Sequence, residues 1–108
     1  MSLSTHVLDA TTGAPAVGVS VYVETQHGDH WHEGRQHRTD QDGRIGEFDP
    51  PPPGVHRIHF DTGAYFAARG TESFYPEVAV TFVVTDPDLH YHVPLLLSPF
   101  AYSTYRGS

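Results

Sequence analysis

Hydrophobic and polar positions alternate with a period of two along most of the chain, in short runs broken by Gly, Pro and Asp. That spacing sends successive side chains to opposite faces of an extended strand. The first run is Leu3 to Asp9, closed by the turn-rich Thr11-Thr12-Gly13-Ala14-Pro15. In the second, Gly18 to Thr25, Val19, Val21 and Val23 share one face and Ser20, Tyr22 and Glu24 the other. Trp31 to Thr39 is more polar and reads as an edge or half-exposed strand. Asp40-Gln41-Asp42-Gly43 makes a tight turn into a strand from Arg44 to Phe48. Further strands are predicted over Val55 to Phe60, Glu77 to Thr85, Leu89 to Leu97 and Ala101 to Arg106. Asp49-Pro50-Pro51-Pro52-Pro53-Gly54 cannot be a central strand, because proline supplies no ladder donor, and reads as a stiff polyproline loop. Only Thr62 to Arg69 is helical in pattern, with Thr62 capping its first turn and Gly70 closing it. Eight strands and one short helix predict an all-β, two-sheet sandwich, whose pairing order the pattern does not give.

Composition narrows the picture. The 108 residues suit one domain, 1–108, and the modest apolar content (38%) suggests support from an oligomer interface. Without cysteine there is no disulfide scaffold, thiolate zinc site or cysteine nucleophile. Six arginines, no lysine and thirteen acids give a net charge of −7, which leaves no basic face for nucleic acid. The apolar runs fall far short of the ~20 residues of a membrane span. Met1-Ser2-Leu3 leads straight into patterned sequence, and Arg106-Gly107-Ser108 is not a peroxisomal address, so a soluble cytoplasmic protein is expected.

Histidine is the anomaly, at nine residues. Protonating all of them would carry the formal charge from −7 to +2, so the surface should change strongly with pH near neutrality. His30/His32 and His90/His92 are spaced i, i+2, which puts each pair on one strand face. Two imidazoles without a third ligand are weak evidence for a metal, and His30/His32 beside Trp31 read as solvated surface. His27, His37, His56 and His59 read as ordinary surface histidines. His6 differs, because it is the odd polar residue of an early strand: it shares a face with Leu8, opposite Thr5, Val7 and Asp9. In the strand carrying His92, the face of His92, Pro94 and Leu96 opposes that of Tyr91, Val93, Leu95 and Leu97. Both faces are substantially apolar, so the strand should be covered on both sides. A histidine there is either a satisfied structural residue or a catalytic one. No GxSxG elbow, HExxH helix or Gly-rich phosphate loop is present, and Asp40/Asp42 lack the remaining ligands of a calcium loop.

Several stretches together resemble a known family. They are Leu3-Ser4-Thr5-His6-Val7-Leu8-Asp9 with Gly13-Ala14-Pro15-Ala16, then Asp42-Gly43-Arg44, then His92-Val93-Pro94-Leu95-Leu96-Leu97-Ser98-Pro99 running to Tyr105-Arg106-Gly107-Ser108. Phe60-Asp61-Thr62-Gly63-Ala64-Tyr65-Phe66 and Phe74-Tyr75-Pro76-Glu77-Val78 match as well. The chain resembles the 5-hydroxyisourate hydrolases, transthyretin-related enzymes of urate breakdown, from residue 3 to 108. The terminal tetrapeptide is the most specific part, since it separates the hydrolases from hormone-carrying transthyretins. Ala101, where glycine or serine is common, and the four-proline run depart from the family without touching the site.

The resemblance implies a transthyretin-like sandwich assembled as a homotetramer, a dimer of dimers, with active sites in a channel between dimers. The channel face would carry His6, Leu8, His92, Pro94, Leu96, Ser103 and Tyr105, with Arg44 at its mouth. The family's catalytic set carries over as His6, Arg44 and His92. Substrate contacts carry over to His6, Arg44, Tyr105 and the terminal Ser108, with no metal and no cofactor. The reaction would be hydrolytic opening of one amide-like C–N bond of 5-hydroxyisourate, giving 2-oxo-4-hydroxy-4-carboxy-5-ureidoimidazoline. The residue types suit this chemistry. A neutral imidazole can take a proton from water, and an arginine fork can hold carbonyl oxygens. Two other readings stay open: a carrier of an apolar hormone, and a metal-binding domain built on the histidine pairs.

Overall fold

In the computed structural model, which describes residues 2–46 and 48–107, the strands begin with β1 (Ser2–Asp9), β2 (Ala14–Pro15), β3 (Ser20–His27), β4 (His30–Glu33), β5 (His37–Arg38) and β6 (Arg44–Ile45). They continue with β7 (Gly54–Phe60), the helix α1 (Thr62–Ala67), β8 (Val78–Val84), β9 (His90–His92), β10 (Leu95–Ser98) and β11 (Ala101–Thr104). Two sheets form. In one, β1 is flanked by β9 and β10, both parallel to it, and by the short antiparallel β2 and β6, while β11 extends it beyond β10. The other runs β4-β3-β7-β8, with β5 also on β3. The all-β sandwich is as the alternation predicts, and its core is shared between the sheets: Leu3, Val7, Leu95 and Leu97 from one, Val21, Ile58, Phe60 and Val84 from the other. Each such side chain removed from water contributes roughly 1.5–3 kcal/mol. Among the described residues no helix is long and apolar enough to cross a membrane.

The differences from the pattern have local causes. The run from Leu89 to Leu97 splits into β9 and β10 at Val93-Pro94, where proline cannot donate to a ladder. Its core face is covered as expected, with Tyr91, Val93, Leu95 and Leu97 all buried. On the other face Pro94 is buried, but His92 is half-buried and Leu96 exposed, so the single chain covers that side only in part. The predicted strand after Arg44 stops at Ile45, and β11 stops at Thr104. The cap of α1 is Asp61, whose Oδ1 accepts from the Ala64 amide at 3.4 Å. Thr62 is buried instead, and its Oγ1 has no partner among the described residues. Tyr65 ties α1 to β1 by donating to Asp9 at 2.8 Å, and burial with that carboxylate pushes the phenol up to about 12.

Two histidines taken for surface are not. His56 is fully buried, its Nδ1 3.0 Å from Thr25 Oγ1 and its Nε2 2.6 Å from the Pro52 carbonyl. A carbonyl only accepts, so Nε2 carries the proton and His56 anchors the proline loop. His59 sits between two carboxylates on the opposite face of the same sheet, with its side chain 11% exposed. His27, His30 and His32 are exposed at the tip of the β3–β4 hairpin, and His37 is half-buried against Phe48. Among the described residues no three histidine or acidic groups converge where a metal ion could be held.

Candidate active site

Burial alternates strictly along β1: Leu3, Thr5, Val7 and Asp9 point into the core, while Ser2, Ser4, His6 and Leu8 form the half-exposed face. Register then adds to that face. Antiparallel β6 sets Arg44 opposite His6, and parallel β9 sets His90 opposite Ser2 and His92 opposite Ser4. Paired residues on neighbouring strands share a face, so His6, Arg44, His90 and His92 come together around β1. Sequence reasoning selected three of these four, and the pairing of β9 with β1 brings in His90 and the two serines.

The turn before Arg44 is what delivers it. Asp40 Oδ1 accepts from the amides of Asp42 (2.8 Å) and Arg44 (3.0 Å), and those bonds, with the nearby Arg44 and His6 charges, hold its carboxyl below the usual range. Gly43 turns at φ +73°, and its carbonyl accepts from the Val7 amide at 2.7 Å. A Cβ there would lie 2.4 Å from the Val7 carbonyl oxygen, so only glycine lets the turn close onto β1. Among the described residues no carboxylate or hydrogen-bond acceptor engages the Arg44 guanidinium, whereas Arg57 and Arg35 are each paired to an acid.

His92 is held from two sides. Its Nδ1 lies 2.7 Å from Ser4 Oγ, and its backbone carbonyl accepts from the Gly107 amide at 2.8 Å. Gly107 presses on the ring itself, since a Cβ at that position would come within 2.4 Å of His92 Cδ2. Among the described residues Nε2 of His92 has no hydrogen-bond partner. Burial pushes its ring below the ordinary histidine pKa, and the charges of His90, Arg44 and His6 push the same way against an opposing Ser4 backbone bond. At neutral pH the lowered pKa leaves His92 as an uncharged imidazole, on one sheet face with a guanidinium that is unpaired among the described residues; an imidazole of that kind can accept a proton, and a guanidinium can hold an oxygen.

Other expected site residues are placed less tightly. Tyr105 lies beyond the end of β11 and is 60% exposed. With His92 and Arg106 it lines a cavity of about 360 Å³ that reaches Phe82 and Val83 of β8, and neither His6 nor Arg44 lines it. Ser103 pairs with Leu96, which pairs in turn with Leu8, in the same sheet. Ser108 lies outside the described residues.

Comparison with known proteins places the chain in a family. The HIUase/Transthyretin family pattern matches residues 3–107. A 5-hydroxyisourate hydrolase of Salmonella typhimurium is 47% identical over 109 residues, spanning 98% of this chain and 80% of that protein. The solved 5-hydroxyisourate hydrolase of Klebsiella pneumoniae superposes with a TM-score of 0.87 at 38% identity, over the whole of both chains. Sea bream transthyretin, solved in complex with thyroxine, superposes with a TM-score of 0.90 at 34% identity, over 99% of this chain and 95% of that one. The chain belongs to the HIUase/transthyretin family.

Proposed function

We propose that this protein, read as one unit over residues 1–108, is the hydrolase that opens 5-hydroxyisourate in urate degradation. The observation that carries the reading is the neutral His92 on one sheet face with His6 and with an Arg44 that has no partner among the described residues. Relatives at up to 47% identity bear the name of that enzyme. His92 Nε2 takes a proton from water as the oxygen attacks the ring carbonyl carbon. Arg44 binds that carbonyl oxygen and stabilises the negative charge it gains. The C–N bond then breaks, the proton passes to the departing nitrogen, and the product carries a new carboxylate. His6 shares the water with His92, and Tyr105 and Ser108 contact the substrate. No covalent intermediate is needed, so the absence of cysteine is no obstacle.

The working enzyme is proposed to be a homotetramer, a dimer of dimers, in the cytoplasm. β11 is an exposed edge strand, and exposed Leu96 and Tyr102 leave apolar surface for a second copy. Light scattering should give about four times 11.9 kDa. A fully active monomer would contradict the shared channel.

The thyroxine-bound relative makes a hormone carrier the competing reading. A polar face of His6, His90 and His92 with the cationic Arg44 suits a small oxygen-rich heterocycle better than a greasy ligand. The test is ultraviolet decay of freshly made 5-hydroxyisourate, with a no-enzyme control because the compound also decays unaided. Protein-dependent acceleration is expected. Decay at the control rate would sink the reading, and loss of acceleration on exhaustive chelation would revive a metal-dependent one.

A further inference from the structure

Ser2, His90, Ser4 and His92 form one continuous hydrogen-bonded row across β1 and β9. Ser2 Oγ meets His90 Nδ1, His90 Nε2 lies 3.1 Å from Ser4 Oγ, and Ser4 Oγ lies 2.7 Å from His92 Nδ1. The two rings are nearly parallel, 17° apart in plane with centroids 6.3 Å apart. The register pairs Ser2 with His90 and Ser4 with His92, so the row is built into the strand pairing.

A serine hydroxyl has one proton, so Ser4 donates to only one of the two histidines. If it donates to His92 Nδ1, that ring must carry its proton on Nε2, and its free nitrogen faces away from the substrate side. If it donates to His90 Nε2, His92 Nδ1–H donates to Ser4, and Nε2 of His92 keeps its lone pair. A proton on Nδ1 is bonded to Ser4 Oγ, whereas one on Nε2 would have no acceptor among the described residues, which favours the second arrangement. His90 completes the row by passing its own Nδ1 proton toward Ser2 Oγ.

We propose that His90 is a positioning residue: through Ser4 it holds His92 in the Nδ1–H tautomer, leaving Nε2 as the base. The proposal rests on the hydrolase reading above for its consequence, but its geometry can be read without substrate. Removing the acceptor, as in His90→Phe, frees the Ser4 proton for His92 Nδ1 and turns the base into a donor. His90→Gln supplies a side-chain carbonyl that can accept from Ser4 in place of the imidazole.

The experiment is long-range ¹H–¹⁵N correlation of the histidine rings in the full chain at mildly alkaline pH, alongside steady-state kinetics on 5-hydroxyisourate. The wild type should show His92 as the Nδ1–H tautomer, with its signals assigned by their loss in His92→Asn. His90→Phe should shift His92 toward Nε2–H and lower kcat by at least ~10-fold with KM little changed, because a wrong tautomer removes the base without removing binding. His90→Gln should restore the tautomer and most of the lost kcat. If His90→Phe does not fold, Ser4→Ala removes the bridging hydroxyl and should lower kcat in the same way. A wild-type His92 in the Nε2–H form, or an unchanged tautomer and kcat in His90→Phe, would overturn the proposal. A protein that shows the predicted tautomer yet leaves 5-hydroxyisourate at its control decay rate would overturn the hydrolase reading instead.

Discussion

His92 and His59 are both strand histidines on a sheet face, partly shielded from water, yet their surroundings have opposite sign. His59 Nε2 lies 2.5 Å from Glu24 and its Nδ1 3.2 Å from Glu77, while its ring stacks on Tyr22 at 4.6 Å. Carboxylates only accept, so both contacts form only when each ring nitrogen carries a proton. Arg57 joins the group, bonded to Glu24 at 2.9 Å and lying over the Trp31 ring. Burial alone would raise the Glu24 carboxyl, but the bonds and charges of Arg57 and His59 bring it below its ordinary range. His92 instead has His90, Arg44 and His6 as neighbours and one nitrogen without a partner among the described residues. A saturated histidine among acids serves as a structural tie, and one beside an arginine, with a nitrogen unpartnered among the described residues, is the one proposed as the base. The sign of the neighbouring charge separates the two roles.

Substitution at the two sites should break that comparison cleanly. The largest expected effect is at the base: His92→Asn should lower turnover by ~10²–10⁴-fold with folding intact, as removal of a general base does. His6→Asn should cost nearly as much, and the double variant little more, because residues acting as a unit are non-additive. Strictly multiplicative losses in steady-state turnover would reject that coupling, and His30→Asn and His32→Asn should leave turnover unchanged as surface controls.

Next comes the clamp. Arg44→Lys keeps the charge but removes the planar fork, so turnover should drop at least ~10-fold, equivalent to about 1.4 kcal/mol of barrier. Wild-type turnover in that variant would leave Arg44 as a solvated turn residue. Gly107→Ala should displace the His92 ring it presses on, lowering kcat several-fold while the melting temperature changes little. At the other site, His59→Asn should leave kcat alone and lower stability by about 1–3 kcal/mol in chemical denaturation, since Glu24 and Glu77 lose a shared donor.

The alternation of β1 was legible because it depends on neighbours two residues apart, and it placed His6 and Leu8 opposite the core residues Thr5, Val7 and Asp9. Arg44 after its turn was legible for the same reason. The union of these residues with His92 was not, because the parallel pairing of β9 with β1 joins Ser4 to a residue 88 positions away. Local pattern carries no record of such a pairing, and only the family resemblance supplied it. His56 and His59 were misread because each is satisfied by partners remote in sequence or by a loop carbonyl, which hydropathy does not register. Asp61 displaced Thr62 as the cap because both residue types suit the position, and burial of Thr62 decided between them.

The central claim is that catalysis runs on a neutral His92 kept neutral by its surroundings, and the pH dependence of kcat/KM tests it most directly. A base works in its unprotonated form, so activity should fall as pH drops through the His92 pKa. Because burial and neighbouring cations lower that pKa, the acid limb should lie below the ordinary value of about 6.5. It should keep its place in His59→Asn and shift upward in Arg44→Gln, where residual activity still reports the limb. A limb at or above the ordinary histidine value, or one that moves with His59 and ignores Arg44, would contradict the account.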